Sequence, residues 1–117
     1  MSHPSKVKGT RWETEVVRYF ASKIPHQVER RALHGGLDRG DILITGGFGA
    51  KFALECKAVI DWSKKLSGFV KEAEQEAMNA GVPYGVCILK RRGKSVQDAY
   101  VVLSLKQFTE MCANEKA

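Results

Sequence analysis

The chain has no stretch approaching the roughly 18 apolar residues that a membrane span requires. Its opening, "MSHPSKVKG", also lacks an apolar segment of the signal-peptide kind. Together these absences predict a cytoplasmic protein with no membrane partner. Cysteine is sparse: Cys56, Cys87 and Cys112 are widely spaced, odd in number, and form no C-x-x-C or Cys/His cluster. That spacing argues against a zinc site and a disulfide framework, and predicts reduced thiols with apolar neighbours. Internal repeats and low-complexity tracts are missing as well, which leaves an ordinary globular chain.

What is present is positive charge. The 117 residues carry a net charge of +6 and a sequence pI near 9.4, with 44% hydrophobic and 27% charged residues. The length suits a single domain with one modest core. The basic balance predicts a polyanionic partner, nucleic acid being the commonest, bound through Lys and Arg at its phosphates. Charge that serves only solubility is the competing explanation.

After a basic arm over residues 1–9, "TRWE" has the capping-box form and predicts a helix starting at Thr10, with Glu13 at the third helical position. Trp12, Val16, Tyr19 and Phe20 continue it at helical spacing, and Pro25 ends it. "HQVERRAL" reads as a strand and "HGGLDRG" as a loop. "DILIT" and "KFALECKAV" read as antiparallel strands across the turn "GGFG". Leu66, Phe69, Val70, Ala73, Ala77 and Ala80 mark one face of a second helix, stopped by Gly81 and Pro83. "YGVCILK" is a strand buried on both faces, "RRGKS" a charged turn, "DAYVVL" a strand, and "SLKQFTEM" a closing helix capped by Ser104. The order α-β-β-β-α-β-β-α predicts an α/β fold, a mixed sheet flanked by helices.

The hairpin poses a problem, because Asp41, Glu55 and Lys57 sit on strands that otherwise serve a core. Ionised groups beside apolar surface are costly without a partner or a metal. Residues two apart on a strand share a face, so Glu55 and Lys57 point together while Cys56 points away. The turn carries Asp41 towards them. Two carboxylates, the Cys56 backbone carbonyl and an ammonium would then meet in one small volume. Oxygen ligands of this kind suit Mg²⁺, or Mn²⁺ in its place. Such a site can act on a phosphodiester, with the lysine orienting water or stabilising the anionic transition state. A solvated hairpin face is the plain alternative, and for an isolated E-x-K it would prevail.

"GD" followed by "ECK" on the next strand resembles the signature of PD-(D/E)xK nucleases, with Gly40 where that family has proline. "KGTRWETEVV" is similar to the Lys-Gly-x-x-x-Glu opening of archaeal-type and phage Holliday-junction resolvases, and "GVPYGVCILKRRGK" with "YVVLSLKQF" is similar to small phage-encoded members. The resemblance runs from Lys8 to about Phe108. It implies a restriction-endonuclease-like core and a metal-dependent endonuclease that resolves branched DNA, the four-way junction, as a homodimer (in the host cytoplasm if phage-encoded). It further implies that Asp41, Glu55, the Cys56 carbonyl and Glu13 ligate the metal and that Lys57 is the catalytic lysine. Glu13 thus has two competing roles, cap and ligand, and the resemblance favours the second. The loop "HGGLDRG" departs from archaeal relatives, which carry a serine there; His34 stands in its place as a phosphate contact. Gln75, opposite the apolar stripe of its helix, is left out of the site.

Basic residues surround these positions along the chain. Lys6, Lys8 and Arg11 flank the first helix start, Arg30, Arg31 and Arg39 flank the loop before Asp41, and Lys64 and Lys65 follow the Glu55–Lys57 strand. They form a surface suited to tracking a DNA backbone. Lys90, Arg91, Arg92 and Lys94 crowd one turn, for which protection of a sheet edge is the competing explanation. The alternatives within this frame are a nickase, flap or restriction-type nuclease of the same superfamily, and a catalytically silent DNA-binding module.

Overall fold

Helix α1 runs from Pro4 to Lys23 and therefore starts well before Thr10. The structure, a computed structural model, describes residues 4–30, 42–45 and 51–114, with side chains from residue 8 onwards at the first helix. Residues 4–9, expected as a flexible arm, are the opening turns of α1. Proline is well placed there, since its fixed φ and missing N–H suit the first helical turn. Thr10 lies inside the helix, where its carbonyl accepts a hydrogen bond from the Thr14 hydroxyl at 2.9 Å. The capping box is thus overturned, and Glu13 is an interior helical residue. The apolar periodicity beginning at Trp12 concealed the polar turns before it.

Five strands form one sheet in the order β1-β2-β3-β4-β5: Val28–Arg30, Ile42–Thr45, Lys51–Lys57, Tyr84–Leu89 and Tyr100–Val102. β2 and β3 pair antiparallel, as the glycine turn predicts, with Ile42 opposite Leu54. β3 and β4 are parallel, and helix α2 (Leu66–Ala80) makes the crossover between them. β5 returns antiparallel to β4, and α3 (Leu105–Asn114) closes the described chain. The α/β class and mixed sheet therefore agree with the sequence reading. Among the described residues no helix is long and apolar enough to cross a membrane.

Strand alternation divides the core between two faces. Leu54, Cys56, Val86 and Ile88 pack with Trp12 and Val16 of α1. Cys87 and Leu89 pack on the other face with Ala73 of α2, flanked by Phe69, Leu66 and Trp62. Every residue of β4 is buried, as a central strand covered on both sides should be. The Trp12 indole N–H donates to the Ile88 carbonyl at 3.2 Å, which satisfies a polar group that burial would otherwise strand.

Gly85 fixes how closely α2 approaches the sheet. A Cβ there would lie 2.0 Å from the Ala73 carbonyl oxygen, so only glycine fits. β5 pairs with β4 only from Cys87 to Leu89. At Gly85 the buried Gln107 side chain of α3 takes the place of the missing strand. Its Oε1 accepts from the Gly85 N–H at 2.8 Å and its Nε2 donates to the Gly85 carbonyl at 2.9 Å. Ser104 caps α3 as expected, its hydroxyl accepting from the Gln107 N–H at 3.2 Å. Gly81 ends α2 in the left-handed conformation at φ 70°, with its N–H turned back to the Met78 carbonyl.

Candidate functional site

Glu55 and Lys57 share the α2 face of β3, and Cys56 points to the α1 face, as period-two alternation requires. Glu55 is 6% exposed, while Lys57 is half-buried. The close approach of α2 at Gly85 brings two further carboxylates over this face. Glu72 and Glu76 neighbour Ala73 and Ala77 on the helix, so the contact that seats the alanines seats the glutamates too. Glu76 is 1% exposed. Carboxylate oxygens of Glu55, Glu72 and Glu76 all lie within 4.8 Å of one another.

Lys57 holds these groups in place. Its Nζ lies 3.2 Å from Glu55 Oε1 and 3.1 Å from each oxygen of Glu72. The Phe69 ring centroid is 4.9 Å from the same nitrogen. Burial pulls the Lys57 pKa down, but the charges of Glu55 and Glu72 and their hydrogen bonds outweigh it, so the ammonium is held above its ordinary value of 10.5. Opposite Glu55 on β4, Cys87 donates its S–H to the Phe69 carbonyl at 3.0 Å. Burial first, then the charge of Glu55, pushes this thiol up to about 12. It is a packing residue, with none of the thiolate character of a nucleophile.

The donor set fits a hard divalent cation. All three clustered side chains offer carboxylate oxygens, the ligands that Mg²⁺ and Mn²⁺ take. Lys57 already places one positive charge between two of them, as carboxylates this close demand. Asp41 lies outside the described residues. It precedes Ile42, whose β3 partner Leu54 precedes Glu55.

The other expected site residues are spread more widely. Glu13 is half-buried on α1, which packs on the opposite sheet face, and it is not among the three clustered carboxylates. Lys8 and Arg11 are exposed on α1; Lys64 and Lys65 are exposed in a 3-10 turn at Ser63–Lys65. Arg31, His34 and Arg39 lie outside the described residues, as do the side chains of Lys6 and Arg30. Gln75 is exposed and donates to Asn79 at 3.1 Å, in keeping with its omission. Glu72 and Glu76 were missed. The available signal was their spacing, i and i+4, along one flank of the apolar stripe rather than opposite it. Compared with known proteins, the chain matches no family model, no curated protein and no solved structure.

Proposed function

We propose that this protein is a metal-dependent DNA endonuclease with a restriction-endonuclease-like core, acting as a homodimer on four-way junctions. The observation that carries the reading is the Glu55–Lys57 pair on one strand face, joined there by Glu72 and Glu76 of the crossover helix. In this reading the pair is the E-x-K of a PD-(D/E)xK nuclease; it lies at the C-terminal ends of two parallel strands, where open α/β sheets gather ligands. The net charge of +6 suits a phosphate-rich substrate. The pairing of β2 with β3 supports a part for Asp41.

In this reading Asp41, Glu55 and the Cys56 carbonyl hold Mg²⁺ or Mn²⁺, with Glu72 and Glu76 as further oxygen donors from α2. The ion, when bound, supplies a polarised phosphoryl oxygen and an acidified water. Lys57 donates hydrogen bonds to the anionic oxygens as charge builds on the phosphorus. Its link to Glu72 fixes the ammonium beside Glu55 before substrate arrives, which removes part of the ordering cost. Glu13, freed from a capping role, remains a candidate for the family's helix-borne acid. Two cuts related by a two-fold axis require two copies, since one chain supplies one such site.

The test is cleavage of four-way junction, flap and linear duplex DNA side by side, with Mg²⁺ and with EDTA. Metal-dependent junction cleavage by the wild type, lost in Asp41→Asn, Glu55→Gln and Lys57→Ala with DNA binding kept, is the expected outcome. Full activity of Glu55→Gln or Lys57→Ala would remove the site. Binding without cleavage in every condition would leave a silent DNA-binding module.

A further inference from the structure

The carboxyl ends of β3 and β4 lead into a cleft of about 220 Å³, lined by Lys8, Val59, Ile60, Trp62, Lys90 and Arg92. Three sequence-distant segments build it: α1, the connection after β3, and the turn after β4. The Lys90 N–H donates to the Lys57 carbonyl at 3.0 Å, which ties the cleft directly to the strand bearing the catalytic lysine. Among the described residues three cations line it and no carboxylate does. Asp61, in the same connection, accepts instead from the Ser63 hydroxyl at 3.4 Å.

The walls are braced in place. Trp62 packs edge-on against Tyr100, their centroids 6.3 Å apart, and the Arg91 guanidinium lies 4.5 Å from the Tyr100 ring centroid. The turn that carries Arg92 is closed by Lys94 N–H on the Arg91 carbonyl at 3.2 Å, and by Gly93 at φ 72°. That φ is one L side chains rarely adopt, so the turn is specified by its glycine. Lys90 Nζ lies 5.7 Å from the centroid of the buried Trp12 ring. A tight turn kept only for solubility has no need of this scaffolding.

The cleft is smaller than the roughly 300 Å³ at which small-molecule pockets begin. Its cations, an aromatic wall and exposed flanks such as Ile60, 63% exposed, suit a strand passing across it. We propose that it seats the sugar-phosphate backbone of the DNA strand continuous with the one cut at Glu55 and Lys57. Lys8, Lys90 and Arg92 contact its phosphates, and Trp62 lies against the sugar or base. This rests on the nuclease reading and assigns the turn after β4 to substrate binding.

The experiment measures DNA affinity by anisotropy in EDTA, so that cleavage plays no part, across a salt series with a labelled four-way junction. Arg92→Ala and Lys8→Ala should each weaken binding about eightfold at 0.1 M salt and lower the log–log salt slope by about 0.9, as for one lost phosphate contact. Lys94→Ala, a charge loss in the same turn outside the cleft, should leave both unchanged. The DNA-induced change in tryptophan fluorescence should vanish in Trp62→Phe, and 10 mM inorganic phosphate should not reproduce it. If the wild type binds no DNA, the nuclease reading falls and the cleft with it. If the wild type binds but Arg92→Ala and Lys8→Ala behave like Lys94→Ala, or inorganic phosphate gives the full signal, the cleft assignment alone falls.

Discussion

Cys87 and Lys57 are both held protonated beyond their ordinary range, and together they set an alkaline limit on the fold. The buried Cys87 thiol is pushed from 9.0 up to about 12, so above pH 9 the unfolded chain releases a proton that the folded one keeps. The unfolded state then binds fewer protons, and stability falls as pH rises. Lys57, raised above 10.5, acts in the same direction, its contribution being present below that value and lost above. Urea unfolding in EDTA should therefore show flat stability near pH 8 and a Cys87 share of the loss of about 1 kcal/mol by pH 10. Cys87→Ala should remove that share of the slope, and an unchanged slope would show that the thiol does not titrate with folding. Under native conditions at pH 8 an alkylating reagent should label exposed Cys112 well before Cys56 or Cys87. At Gly85 a single methyl meets the Ala73 carbonyl, so Gly85→Ala should cost about 3 kcal/mol by denaturant melting, with cleavage lost alongside because α2 carries Glu72 and Glu76.

Helix α1 gives the clearest contrast between a local pattern and the element that forms. If Thr10 capped the helix, Thr10→Ala would cost about 1 kcal/mol. As an interior residue it should cost under about 0.5 kcal/mol, since alanine is the better helix former. Glu13→Gln should likewise leave the melting temperature unchanged, and any loss of cleavage then reports on the site rather than the helix. The sequence exposed elements whose burial follows a period: the β2–β3 hairpin, the all-apolar β4 and the face of α2. It concealed whatever breaks the pattern. The opening turns of α1 are polar and carry no periodic signal. Glu72 and Glu76 are charges flanking an apolar stripe, and their place shows only once the sheet beneath them is known to hold Lys57. Gln107 completes β4 by a tertiary contact that no local spacing announces. Glu55 and Lys57 were legible because strand alternation alone places them on one face.

At the scale of the whole molecule, if the protein is the nuclease proposed, its charge of +6 should give affinity for any duplex that falls log-linearly with salt. Preference for a junction must then come from two-fold geometry, so changing the arm sequences should leave junction affinity largely unaltered. Mixed dimers of wild-type and Lys57→Ala subunits should nick one strand of a cruciform plasmid without promptly cutting its symmetry mate. Equal affinity for junction and linear DNA at matched salt, or a monomer in sedimentation at working concentration, would favour a nickase, flap or restriction-type nuclease over a resolvase.

Glu55, Lys57, Glu72 and Glu76 all belong to the β3–α2–β4 unit, and every one of them is contributed before the chain reaches Leu89. Within the sheet that unit closes the longest range: Phe52 pairs with Tyr84 across the whole of α2, whereas Arg30–Ile42, Thr45–Lys51 and Leu89–Tyr100 close far shorter loops. Loop closure must precede the contacts that reward it, which puts the parallel β3–β4 pairing last in time. Pulse-labelled amide exchange during refolding should protect the β1–β2–β3 and β4–β5 ladders before the amides that join β3 to β4. The carboxylates would then be drawn together only in the last step, so on the proposed reading Mg²⁺ should slow unfolding and leave the refolding rate unchanged.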